Sequence, residues 1–204
     1  VIAAVVAQTR QRVPIIAGAG ANSTAHAVAL ARAARERGAD GILAVTPYYN
    51  RPTQDGLVHH FTAIARAARL PLVLYNVPAR TGCDLLPETV ARLAEVPEIA
   101  AVKEATGSIT RAQQIIARLG DRLAVLSGDD HTAFALFAVG ARGVISVTSN
   151  VAPARLAAVW TASRAGAWAR ARALNDQLRP PLLPLAGASL ERLRGVLRYE
   201  GLLP

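Results

Sequence analysis

The sequence predicts an α/β protein: a (β/α)8 barrel (the TIM-barrel architecture) lacking its first two strands, with a short helical C-terminal appendage. Three observations carry this expectation. Near-continuously apolar, β-branched runs alternate with Ala/Leu/Arg stretches of helical period, as parallel strands do when helices cover them and bury both faces. The runs start at residues 13, 41, 72, 101, 123 and 143, intervals of 20 to 31 residues, which fits one βα unit each. No complete G-x-G-x-x-G follows a strand, since "GAGANS" at 18–23 lacks the third glycine, and this weakens a doubly wound dinucleotide fold.

In order, the strands are read as Val13–Gly18, Gly41–Pro47, Leu72–Val77, Ala101–Ala105, Leu123–Gly128 and Gly143–Thr148. Ser23 or Thr24 is placed to cap a helix running to Gly38, with Ala27, Leu30, Ala31 and Ala34 as its apolar face. Pro87 opens a second helix, in the first turn where proline is tolerated. Thr110 is read as the cap of a helix ending near Gly120. These six units, residues 1–166, form the barrel portion. Residues 167–204 read as helix only: "AWARARALNDQL", a break at Pro180-Pro181, and a helix capped by Ser189 with Leu190, Leu193, Val196 and Leu197 on one face.

A closed barrel needs eight strands, so roughly 60 further residues are expected upstream of Val1. The absence of methionine, even at position 1, agrees with this. Six strands taken alone leave two open edges, an aggregation hazard.

Composition narrows the function. Hydrophobic residues make up 52% of the 204, enough for a sizeable core. No apolar run reaches the roughly 18–20 residues of a membrane span, and the N-terminal "VIAAVVAQTRQR" lacks the basic n-region of a signal peptide. The net charge of +9 raises nucleic acid as a partner. The arginines, however, are scattered and not interleaved with aromatics as stacking platforms require, so they read as solvated helix faces. The single Cys83 has no partner for an internal disulfide and suits a reducing cytoplasm. No Cys/His set has zinc spacing, and the adjacent His59 and His60 point in different directions on a helix. Neither a metal nor an organic cofactor is expected.

The chemistry gathers at strand ends, where a barrel places it. Lys103, in "VKEATG", is the only lysine among 23 Lys and Arg residues. Arginine serves as well as lysine for a surface charge, but only an amine can lose its proton, attack a carbonyl and form an imine. Tyr75, near the end of the preceding strand, is placed to move protons to and from the carbinolamine. Arg80, just beyond it, is suited to a bidentate carboxylate contact. Tyr48 and Tyr49 follow the second strand, and Gly128, Asp129 and Asp130 follow the fifth. The acidic pair argues against the phosphate site that many barrels build late in the chain. Each residue also has an ordinary reading as core tyrosine, surface arginine or loop anchor. It is their gathering at neighbouring strand ends, together with the one lysine, that favours a site.

The blocks "VTPYYNRPTQDGL", "LYNVPARTG", "VKEATG", "LSGDD" and "GVISVTSN", in this order, resemble the dihydrodipicolinate synthase family of pyruvate-dependent aldolases. The resemblance implies the following expectations. Lys103 forms a Schiff base with pyruvate; Tyr75 relays protons; Tyr49 reaches in from a neighbouring subunit. Arg80 holds the carboxylate of aspartate semialdehyde, and the backbone of Gly128 and Ile145 seats pyruvate. The assembly is a homo-oligomer, a dimer of dimers, in the cytoplasm, with no nucleic acid or membrane partner. Asn22, Tyr48 and His26 fall at the family's lysine-feedback positions. His26 stands where lysine-sensitive members carry glutamate, which implies weak feedback. The family's Gly-Thr-Thr-Gly-Glu block, carrying the third relay residue, does not occur in this sequence, and "RPPLLPLAGASLE" is shorter than the family's C-terminal region. The alternatives are another 2-oxo-acid aldolase, a phosphate-binding barrel isomerase, for which "VTSNVAP" supplies no glycine-rich turn, and an inactive fragment of such an enzyme.

Overall fold

The computed structural model describes residues 1–178 and, beyond them, 191, 194, 195 and 198. The chain divides into two compact units, Val1–Val151 and Ala152–Pro204. The first holds a sheet of β1 (Ile16–Gly18), β2 (Gly41–Val45), β3 (Leu72–Asn76), β4 (Ile99–Glu104), β5 (Ala124–Ser127) and β6 (Gly143–Val144). All neighbours pair in parallel, in the order β1-β2-β3-β4-β5-β6. A doubly wound sheet reverses its order at a switch point. This one never does, which is the winding of a barrel wall.

Around it lie α1 (Ile2–Thr9), α2 (Thr24–Glu36), α3 (Gln54–Ala68), the short α4 (Pro78–Thr81), α5 (Pro87–Leu93), α6 (Ile109–Leu119) and α7 (Asp130–Ala138). The second unit contains α8 (Pro153–Arg164) and α9 (Trp168–Asp176), the latter where "AWARARALNDQL" predicts a helix. The Pro180-Pro181 break and the Ser189-capped helix lie outside the described residues. No described helix is long and apolar enough to cross a membrane.

The two faces of the sheet differ sharply. Ile42, Ala44, Leu72, Leu74 and Val102, on the face toward the helices, are fully buried, together with Leu57, Phe61 and Ile64 of α3. Each large side chain buried there contributes about 1.5–3 kcal/mol. Their strand neighbours Leu43, Val45, Tyr75, Lys103 and Leu126 are half-buried and share the opposite, inner face. Exposed ion pairs join successive elements on the outside: Asp55 to Arg92, Glu88 to Arg118, Glu95 to Arg122, and Asp121 to Arg142. Each adds little by itself, but together they account for several of the scattered arginines.

Local departures from the predicted elements have local causes. β1 begins at Ile16 because the Ile15 N–H donates to the Asp40 carboxylate at 2.7 Å, and the Ile15 carbonyl accepts from both Asp40 and Gly41. β6 stops at Val144 because the Asp130 carboxylate captures the N–H groups of Val147 and Thr148, turning the chain into a 3-10 turn over Thr148–Asn150. Ser23, not Thr24, caps α2; the Thr24 hydroxyl is bonded to His60 Nδ1 at 2.8 Å. Ala27, Ala31 and Ala34 are buried as expected, but Leu30 is 36% exposed, since it lies at the flank of the alanine stripe by which α2 meets the fold. Ser108, not Thr110, caps α6, accepting from the Arg111 N–H. Helix α1 was not anticipated, because its start carries neither a capping side chain nor an acidic first turn.

His60 is buried in α3, edge-on to Phe61, with Nε2 unpartnered. Burial lowers its pKa from 6.5 to about 4. The folded state therefore resists protonation. As pH falls from 6.5 to about 4 the unfolded state gains the proton first, so stability present above pH 6.5 is progressively lost, by up to about 3 kcal/mol. Urea titrations at pH 7.5 and 4.5 are expected to show this loss, and His60→Gln is expected to flatten it. An equal loss in both proteins would place the effect elsewhere.

Candidate active site

Lys103 is the fifth residue of β4 and Tyr75 the fourth of β3, and the two are direct register partners. Lys103 also pairs with Leu126, and Tyr75 with Val45. Side chains alternate along a strand, so both project from the inner face, near the C-terminal ends of their strands. The Lys103 Nζ stands 3.9 Å from the centre of the Tyr75 ring.

Two effects oppose each other at the amine. The tyrosine ring favours the cation, whereas burial disfavours it, and the net result is a pKa below the ordinary 10.5. After burial, the Asp129 carboxylate acts in the raising direction, the Arg80 guanidinium lowers, and Asp130 raises. Burial likewise pushes the Tyr75 phenol up, countered by Arg80 and reinforced by Asp129. Both groups are thus moved toward their neutral forms. A neutral amine attacks carbonyls, and a neutral phenol donates a proton.

The flanking segments hold this pair in place. Gly128 follows β5, and its N–H donates to the Glu104 carbonyl at 2.8 Å. A Cβ there would stand 2.4 Å from the Ala105 Cβ, so only glycine lets the ends of β4 and β5 approach so closely. The Ile145 N–H donates to the Ser127 carbonyl at 2.9 Å, extending the ladder one residue beyond β6. Asp130 Oδ2 accepts from the Val147 N–H at 3.1 Å, the Thr148 N–H at 2.8 Å and the Thr148 hydroxyl at 2.7 Å. These bonds hold the loop after Ile145; burial raises the Asp130 carboxyl, but the Ser146 side chain, with the Thr148 and Val147 bonds, outweighs it and keeps the group below its usual range.

Arg80 sits on α4, directly after β3, and lines an open cleft of about 770 Å³ with Tyr48, Tyr49, Arg51 and Gly82. Lys103 and Tyr75 do not line this cleft. Tyr49 is 90% exposed and its backbone is left-handed, φ 73°, with Arg51 at φ 47°. For non-glycine residues this conformation costs of order 1–3 kcal/mol and persists only where neighbours hold it. Here the Tyr49 N–H donates to the Thr81 carbonyl at 3.0 Å, and the Thr81 hydroxyl is tied to Thr46 and Cys83. Of the feedback positions, Asn22 is half-buried, and its carbonyl accepts from Asn50 Nδ2 at 2.8 Å, two residues from the exposed Tyr48. His26 is exposed in the first turn of α2. Among the described residues, no group of three or more His, Cys, Asp or Glu is placed to hold a metal ion.

The electrostatic role of Asp129 was not read from the sequence. Its only signal there is the Gly-Asp-Asp run after an apolar strand, which by itself says nothing about which carboxylate acts more strongly on the lysine. The Asn76–Glu104 pairing was also missed, although each residue directly follows a singled-out one.

A sequentially wound parallel sheet with its amine-bearing residue near a C-terminal strand end defines a barrel enzyme, in which chemistry is carried at that end of the strands. The chain belongs to the dihydrodipicolinate synthetase family, whose model matches residues 1–191. It is 46% identical to the 4-hydroxy-tetrahydrodipicolinate synthase of Geobacter metallireducens over 231 positions, covering 98% of this chain and 80% of that one. The enzyme of the same name from Pseudomonas aeruginosa is 54% identical over 88% of this chain and 62% of its own length. The crystal structure of the chloride-inhibited dihydrodipicolinate synthase of Acinetobacter baumannii, complexed with pyruvate, matches the whole chain and 80% of that one at 42% identity and a TM-score of 0.86. The 231 aligned positions of the Geobacter comparison exceed the 204 residues here, so at least 27 have no counterpart in this chain.

Proposed function

We propose that this chain carries the condensation of pyruvate with L-aspartate 4-semialdehyde to 4-hydroxy-tetrahydrodipicolinate, through an imine on Lys103. The observation that carries the reading is the placement of Lys103 Nζ 3.9 Å over the ring of its register partner Tyr75, with both groups moved toward neutrality. The neutral Lys103 amine attacks the pyruvate carbonyl carbon, and the carbinolamine loses water to give the imine. Loss of a methyl proton then gives an enamine, whose carbon attacks the aldehyde of the second substrate. That substrate's amine closes the ring and releases Lys103 as the free amine. Tyr75 moves the protons of the carbinolamine stage. Asp129 and Arg80 set the field in which both titrate.

Further roles follow from position. Arg80 at the cleft receives the carboxylate of the semialdehyde, and the Gly128 and Ile145 backbone seats pyruvate. Tyr49, exposed and held in a left-handed conformation, is presented to a neighbouring subunit and completes that subunit's proton relay, within a dimer of dimers. Asn22, Tyr48 and His26 form a feedback surface that binds lysine weakly, because His26 offers no fixed anion to an ammonium group. The enzyme acts in the cytoplasm, in keeping with a single buried, unpaired cysteine.

Borohydride trapping tests the reading. With pyruvate present, reduction is expected to add a stable lactyl-type mass to the peptide containing Lys103 and to no other. Because the free amine is the nucleophile, the initial trapping rate should climb with pH about a midpoint below 10.5. Label elsewhere, or none, overturns the proposal. Trapping by pyruvate without turnover of aspartate semialdehyde, but with turnover of another aldehyde, would assign a different 2-oxo-acid aldolase.

A further inference from the structure

Immediately after Tyr75 and Lys103 in their strands come Asn76 and Glu104, themselves register partners. Alternation turns them to the helix-facing side, where apolar residues are expected, yet Asn76 is fully buried and Glu104 is 2% exposed. Asn76 Nδ2 donates to Glu104 Oε2 at 3.2 Å and to Asp84 Oδ1 at 3.0 Å, while Asn76 Oδ1 accepts from the Leu85 N–H at 3.0 Å. Glu104 Oε1 accepts from the Thr106 N–H at 2.7 Å. Asp84 is gripped by Arg111 of α6 through two parallel bonds of 2.8 Å, and Arg111 also donates to the Leu85 carbonyl. Gln54 of α3 donates to the Asp84 carbonyl and accepts from the Leu86 N–H.

Asn76 thereby closes the excursion that leaves β3 at residue 77 and returns at Leu85. That excursion contains α4 and Arg80. We infer that Asn76, Glu104, Asp84 and Arg111 form a positioning chain that ties the strand ends bearing Tyr75 and Lys103 to the segment bearing Arg80, and so sets the fit of the aldehyde substrate against the imine. This rests on the functional reading above. A buried polar chain is favourable only when its members are satisfied. Here each Asn76 polar atom and both carboxylates have partners, so the geometry of the excursion is sharply defined. An apolar pair at 76 and 104 would bury as well but would leave the Leu85 and Thr106 N–H groups without acceptors. These four are positioning residues: none faces the inner side of the sheet.

The test uses the whole protein, with Asp84→Asn, Arg111→Leu, Arg111→Lys and the double variant Asp84→Asn/Arg111→Leu. Asp84 and Arg111 are partly exposed at the outer end of the chain, so these variants are expected to fold even if Asn76→Leu does not. Both single losses should raise the KM for aspartate semialdehyde by about tenfold with a smaller change in kcat, the split expected when substrate fit and not chemistry is impaired. Pyruvate trapping at Lys103 should stay within about twofold, the double variant should be no worse than either single one, and Arg111→Lys should recover part of the loss. A lowered melting temperature with unchanged KM, or trapping reduced in step with turnover, overturns the inference and leaves a purely structural role. If the unsubstituted protein traps no pyruvate, the functional reading fails and the inference with it. If it traps pyruvate and the KM does not move, only the inference fails.

Discussion

Replacing Lys103 by arginine is expected to abolish both borohydride trapping and condensation while leaving the fold intact. Arginine keeps a cation over the Tyr75 ring and roughly the same volume, so packing at this half-buried position changes little. It cannot supply a neutral nucleophile or become an imine. Covalent catalysis accounts for a large part of a typical enzyme's roughly 8–23 kcal/mol of barrier lowering, so turnover should fall by several orders of magnitude. Its measurement requires single-turnover assays at high protein concentration, together with a melting curve showing that the variant is folded. Near-normal condensation by the arginine variant would sink the imine mechanism and reduce the single lysine to an accident of composition.

Tyr75→Phe tests the proposed role of the phenol as proton carrier to the amine. The ring remains, so the contact with the Lys103 Nζ is kept, and trapping by pyruvate is expected to persist, though more slowly. Turnover should drop by about 10²–10⁴-fold, the usual contribution of a positioned acid or base. Because burial and Asp129 hold the phenol protonated to higher pH than usual, the wild-type alkaline limb should lie above that of free tyrosine and should vanish in the variant. Loss of trapping equal to that of Lys103→Arg would mean that the ring positions the lysine and that the hydroxyl carries no separate role.

Much of the candidate site was legible because each singled-out residue breaks a local rule. Lys103 and Tyr75 interrupt apolar strands, Arg80 follows a strand end at once, and Gly128 stands between a strand and two acids. What could not be read was pairing across elements. That the Asp129 carboxylate acts on the amine depends on the turn after β5. That Asn76 binds Glu104 depends on the β3–β4 register, which shifts between Leu72 and Val73. A one-residue slip in that register would send Lys103 to the helix side. The caps make the same point at smaller scale: Ser108 and Thr110 are both competent cap residues, and it is the Ser108 side chain that accepts from the Arg111 N–H.

The sequence by itself determined the parallel winding, the existence and type of the strands and principal helices, and the candidate residues for the chemistry. These follow from hydrophobic period, turn residues and side-chain type, all of which are local. Only the tertiary structure decided in which direction burial moves each group, which loop Tyr49 is strained within, and how the Arg80 segment is fastened to the strand of Lys103. Those depend on burial, on fields from residues distant in the chain, and on hydrogen bonds such as the 27-residue span from Asp84 to Arg111. Such long-range partners leave no periodic trace in a single sequence; they are fixed only when the sheet closes its register and the helices pack over it.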